Sequence, residues 1–114
     1  MTYGTRVYIA GPMRGQPCYN FEEFFHWARM LRISGYEVTN PAQLDCMRML
    51  SGWTFKDDEE TYEEILAADL EIITARIDWI FALKGSDESP GAQREIALAE
   101  ELGLPVYYEA KETA

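Results

Sequence analysis

Ser89-Pro90-Gly91-Ala92-Gln93-Arg94-Glu95-Ile96-Ala97-Leu98-Ala99 begins a helix and carries an acid where a packing helix would not. Ser89 is an N-cap residue, able to accept a hydrogen bond from a free amide of the first turn. Pro90 suits the first helical position, where a missing N–H costs nothing. Gly91 leaves the backbone bare for close approach. Gly103 and Pro105 end the helix. Between these ends Gly91, Ala92, Ile96, Leu98, Ala99 and Leu102 share one side, and Gln93, Arg94, Glu100 and Glu101 share the other. Glu95 lies within the apolar side. An ionised carboxylate there is costly unless it is paired or opens into a cleft.

Upstream, Asp78-Trp79-Ile80-Phe81-Ala82-Leu83 reads as a continuous apolar strand, and Thr61 to Arg76 as the helix before it. The stripe Tyr62, Ile65, Leu66, Ile72 and Ile73 marks that helix's inner side, with Glu63, Glu64, Ala67, Glu71 and Thr74 facing away. Asp69 sits at the centre of the stripe and repeats the oddity of Glu95. Downstream, Pro105-Val106-Tyr107-Tyr108 is a last strand, and residues 110–114 form a frayed tail.

The N-terminal half begins with Arg6-Val7-Tyr8-Ile9-Ala10, a buried strand ended by Gly11-Pro12. The loop to Pro17 is rich in breakers and holds Arg14 and Gly15. Asn20 with Glu23 reads as a capping box opening a helix whose apolar residues are Phe21, Phe24, Phe25, Ala28 and Leu31. Gly35 ends it. His26, the single histidine, falls on its polar side and is expected at the surface. Tyr36 to Thr39 is a second strand, closed by Asn40-Pro41. Residues 42–60 have no clean period beyond a short helical piece around Leu44 to Leu50. Trp53 and the acid run Asp57 to Glu60 follow. A stretch this long with little structure is often a binding loop, in which Trp53 either stacks on a planar ligand or plugs the core.

The alternation of strand and helix predicts a single α/β domain spanning residues 1–114. The expected architecture is a Rossmann or flavodoxin-like three-layer sandwich with a mostly parallel sheet in the order 2-1-3-4. Ligands of such sheets bind beyond the C-terminal strand ends where the strand order reverses. That rule sets Gly11 to Gly15 beside Lys84 to Glu95, with Asp69 approaching from the neighbouring helix.

Composition narrows the partners. The chain has 114 residues, enough for a real core, and 47 % of them are hydrophobic, which argues against disorder. No apolar run is long enough to span a bilayer, and no signal-peptide pattern opens the chain, so a cytoplasmic setting without a membrane partner is expected. Cys18 and Cys46 are too few and too far apart for a zinc motif. A net charge of −10 makes duplex nucleic acid an unsuitable partner. A small anionic ligand is still allowed, since one helix N-terminus or one arginine can overcome a negative global field.

Two carboxylates on apolar helix faces, converging on one crevice, suit glycosidic bond cleavage: one attacks or stabilises the anomeric carbon and the other handles a proton or a sugar hydroxyl. The bland alternative is that each acid caps a neighbouring loop or pairs with Arg76 or Arg94.

Val7-Tyr8-Ile9-Ala10-Gly11-Pro12-Met13-Arg14-Gly15, then Asp69-Leu70-Glu71, then Ser89-Pro90-Gly91 with Glu95, resemble the nucleoside 2-deoxyribosyltransferase superfamily. Within it the chain is similar to the 2′-deoxynucleoside 5′-monophosphate N-glycosidases. It is more similar still to an uncharacterised small-protein branch of phages and prophages, through Tyr19-Asn20-Phe21, Asn40-Pro41-Ala42 and the Ser-x-Gly-Ala-x-x-Glu turn. The resemblance implies that Glu95 is the nucleophile, that Asp69 is the acid assisting sugar binding or base departure, and that Tyr8 stands at the sugar end. It further implies that Ser89 and Gly91 cradle a 5′-phosphate, that Gly11, Arg14 and Gly15 line the substrate loop, and that neighbouring subunits of a homo-oligomer complete the site. No metal or organic cofactor is implied. Gly85-Ser86-Asp87-Glu88 departs from the branch, which often has Gly-Trp-Glu there, and its acids weigh against a phosphate, yet Ser89, Gly91 and Arg14 set the expectation that 5′-monophosphates are preferred over nucleosides. The expected function is therefore an N-glycosidase or deoxyribosyltransferase acting on a 2′-deoxynucleoside or its 5′-monophosphate. The competing reading is a module that binds or sequesters a nucleotide without turnover.

Overall fold

A computed structural model describes residues 4–52 and 59–109. Four strands, β1 (Arg6–Ala10), β2 (Glu37–Thr39), β3 (Trp79–Ala82) and β4 (Val106–Tyr108), form one sheet in the order β2-β1-β3-β4. All pairings are parallel, with Val7 opposite Val38 and Trp79, and Phe81 opposite Tyr107. The order expected from the sequence is the one found.

Helices α1 (Phe21–Ile33), α2 (Pro41–Leu50), α3 (Glu59–Arg76) and α4 (Pro90–Glu101) connect the strands. They make two cores. Tyr8 and Ala10 of β1 with Ile80 and Ala82 of β3 pack against Ile73 of α3 and Ile96 and Ala99 of α4. Val7 and Ile9 pack on the opposite face against Phe24, Ala28 and Leu31 of α1 and Ala42 of α2. Covering both faces of β1 is why it reads as a continuous apolar run rather than an alternating one: Val7 through Ala10 are all fully buried.

Three local expectations are corrected. Asn20 is not a capping-box N-cap: it lies in the left-handed region at φ 61° and its side chain makes no capping bond. Cys18 and Tyr19 before it share that conformation, at φ 49° and 52°, so the chain enters α1 through a left-handed turn. Each such residue costs about 1–2 kcal/mol. Asn40-Pro41 does not merely close β2 but opens α2, with the Asn40 side chain accepting from the Ala42 amide at 3.0 Å and Pro41 in the first turn. Phe25, placed on the buried stripe by its spacing, is 40 % exposed, because the buried stripe of α1 is only Phe24, Ala28 and Leu31 wide. His26 is exposed as expected. Among the described residues no helix is long and apolar enough to cross a membrane.

Candidate functional site

The strand order reverses between β1 and β3, and a cleft of about 860 Å³ opens there beyond their C-terminal ends. Its walls include the loop after β1, the α3 face around Asp69 and the start of α4. The local sequence explains each wall. Ser89 caps α4 by accepting from the Ala92 amide at 3.2 Å, and Pro90 follows in the first turn. The inner side of α4 is then Ala92, Glu95, Ile96 and Ala99, spaced three and four apart. Glu95 is thereby turned into the cleft and left 6 % exposed. Asp69 occupies the matching place on α3, between Leu66 and Ile73, and is 5 % exposed.

Tyr8, wholly buried on β1, donates its hydroxyl to Glu95 Oε2. Burial pushes the Glu95 carboxyl up to about 8, and the nearby Asp69 charge adds to this, while the Tyr8 hydrogen bond opposes it. Burial likewise pushes Asp69 up to about 7, with Arg48 pulling it down and Asp45 pushing it up. The same burial, reinforced by both carboxylates, keeps the Tyr8 phenol protonated well above neutral pH, so it acts as a donor. Two interacting acids of this kind lose their protons in two steps that belong to the pair. Between about pH 7 and about pH 8 the pair holds about one proton. The pairing with Arg94 that would have made Glu95 a structural acid does not occur: Arg94 bonds Glu63, at 3.1 Å.

The other sequence-derived residues divide. Gly11, Arg14, Ser89 and Gly91 line the cleft. Gly11 is required by packing, since a Cβ there would stand 2.9 Å from the Leu83 side chain. At Gly91 a Cβ would meet the Tyr62 hydroxyl at 2.6 Å. Arg14 stacks on the Tyr62 ring at 4.3 Å and pairs with Glu59 at 3.2 Å. Gly15 sits in an exposed turn at φ 82° and is not part of the described lining. Trp53 lies outside the described residues.

Sequence reasoning missed Asp45 and Arg48 on α2. Arg48 Nη1 is 2.5 Å from Asp45 Oδ1, and its Nη2 is 3.7 Å from Asp69 Oδ1. Asp45 lines the cleft and is 3 % exposed. The available signal was Asn40-Pro41 read as a helix start, which puts Asp45 and Arg48 one turn apart on the same face. Among the described residues no group of three or more His, Cys, Asp or Glu is arranged to hold a metal ion.

A family model described as Domain of unknown function (DUF4406) matches residues 5–108, and the chain belongs to that family. No curated protein and no solved structure matches the chain.

Proposed function

We propose that this DUF4406 member cleaves the bond between base and sugar of a 2′-deoxynucleoside, as an N-glycosidase or a deoxyribosyltransferase, with Glu95 as nucleophile. The observation that carries the proposal is the convergence of two buried carboxylates, Asp69 and Glu95, on one cleft at the reversal of strand order, with the Tyr8 hydroxyl held against the second. Such groups are costly to bury, and clefts are where that cost is offset by chemistry.

The chemistry follows from the one proton the pair holds. The Glu95 carboxylate attacks C1′, forming a C–O bond as the C1′–N bond breaks, and the bonding electrons leave with the base. The proton, which at rest lies on Glu95 as the weaker acid of the two, first shifts to Asp69 as Glu95 attacks and goes from there to the departing base nitrogen. The Tyr8 hydrogen bond favours the ionised form of Glu95 over the neutral one, so it supports attack. The resulting glycosyl ester is opened by water, giving hydrolysis, or by a second base, giving transfer.

The surroundings favour an uncharged nucleoside over its 5′-monophosphate. A helix N-terminus binds phosphate through unbonded amides. Here Pro90 has none, the Ala92 amide is bonded to Ser89 Oγ, and the Gln93 amide to Ser89 O at 2.9 Å. The Tyr62 hydroxyl stands 2.6 Å from where a Cβ of Gly91 would be, narrowing the space beside this turn. Arg14 is held by Glu59 and Tyr62, and Glu63 and Glu88 add further negative charge to the lining.

Chromatographic detection of free base after incubation with each deoxynucleoside and each 5′-monophosphate tests the reading. Base release from nucleosides that is lost in Glu95→Gln supports it. Binding without release by the parent protein favours a sequestering module instead, and neither binding nor release overturns both.

A further inference from the structure

Behind the pair of acids stand two charged groups of α2 that the proposed chemistry leaves unused. Asp45 and Asp69 are both buried, at 3 % and 5 % exposure, and one guanidinium faces both. Arg48 holds Asp45 closely, at 2.5 Å, and Asp69 loosely, at 3.7 Å. The Asp69 Oδ1 atom that faces Arg48 is sealed from solvent and accepts no hydrogen bond from any described residue. From the other elements packed around it, Asp69 meets the Tyr8 hydroxyl of β1 and the Glu95 carboxyl of α4. Arg48 itself is not part of the described cleft lining, so it acts on a bound molecule through the two carboxylates it faces, Asp69 and Asp45.

We propose that Arg48, fastened by Asp45, is a positioning residue that sets the orientation and charge of Asp69. Asp45 is the competing carboxylate that limits how far Arg48 neutralises its neighbour. The consequence for rate rests on the glycosidic reading above; the effect on Asp69 itself does not.

Two substitutions then move the same carboxyl in opposite directions. Arg48→Met removes the cation facing Asp69, which holds its proton to higher pH. Asp45→Asn releases the guanidinium to close on Asp69 Oδ1, which then loses its proton at lower pH. Arg48→Lys keeps the charge but not the fork, and stays nearer the parent. A packing role for α2 would give no such reversal of sign.

The test is a carboxyl-carbon NMR titration of Asp69 in the whole protein, assigned with Asp69→Asn, together with the pH profile of base release. The Asp69 midpoint is expected to rise by about one pH unit or more in Arg48→Met and to fall in Asp45→Asn. The acid limb of the rate is expected to move with it. Should Arg48→Met fail to fold because Asp45 is left alone, Asp45→Asn combined with Arg48→Met removes that unpaired charge and still raises the midpoint. Midpoints that stay put, or move the same way in both single variants, overturn the proposal even if base is released. Midpoints that move as stated uphold it even if no variant releases base, in which case the glycosidic reading alone is lost.

Discussion

Replacing Glu95 by Gln should make the protein more stable, and the gain should grow with pH. In the folded chain the carboxyl titrates at about 8, against an ordinary value of 4.5. Below about pH 4 the folded and unfolded chains both carry the proton, and the group contributes no difference. As pH rises from there to about 8, the unfolded chain gives up its proton first. Folding then requires taking one up, so stability falls throughout this window and levels off above it. One pH unit of displacement is worth about 1.4 kcal/mol. Glu95 therefore destabilises the native state by about 1 kcal/mol at pH 5 and by about 4 kcal/mol at pH 8. Glutamine removes the charge and keeps an oxygen for the Tyr8 hydroxyl, at a cost of about 1 kcal/mol for its buried N–H donors. The variant should match the parent at pH 5 and exceed it by about 3 kcal/mol at pH 8. Urea unfolding of both proteins at pH 5, 6, 7 and 8, without ligand, reads this directly. A gap that does not change with pH, or a variant weaker than the parent at pH 8, would refute the claim that Glu95 is a desolvated acid held against its own stability.

The remaining expectations follow from the same geometry. Asp69→Asn leaves Arg48 paired with Asp45, so thermal melting at neutral pH should be unchanged or raised by a few degrees while base release is lost; a drop of ten degrees or so would make Asp69 a structural acid. The pH dependence of kcat/KM should be a narrow bell centred between about 7 and 8, because only the singly protonated pair has both a nucleophile and a donor, and a flat profile from pH 5 to 9 would exclude that division of roles. Gly91→Ala should cost about 1–3 kcal/mol by driving a Cβ against the Tyr62 hydroxyl. Tyr62→Phe should restore most of that loss, since the ring carbon behind the hydroxyl is at an ordinary 3.5 Å, and additive effects in the double variant would deny the contact.

What could be read from the chain and what could not have separate physical causes. β1 and β3 were legible because both faces of each are covered, which leaves an uninterrupted apolar run. α4 was legible because Ser89, Pro90 and Gly103 mark its ends and Glu95 breaks its stripe. α2 was legible only in its later part, the piece around Leu44 to Leu50, because Asn40-Pro41 is equally the end of a strand and the cap and first residue of a helix. Its inner face is Ala42 and Asp45, small and charged, so no apolar period shows. Asp45 and Arg48 fall within the piece that was read, but with no apolar stripe nothing marks which side of it faces the cleft. The partner of Glu95 lies 87 residues away on β1, a contact that only the sheet creates and no local spacing encodes. Asn20 misled because asparagine suits both an N-cap and the left-handed region, and the three-residue turn before α1 uses the second property.

A covalent bond between Glu95 and the sugar would be short-lived but can be trapped. The most direct test is to quench the protein in acid during turnover of a 2′-deoxynucleoside and map the modified peptides by mass spectrometry. One deoxyribosyl adduct is expected, on Glu95, and none in Glu95→Gln. Base released with the adduct on another residue, or undiminished release by Glu95→Gln, would contradict it.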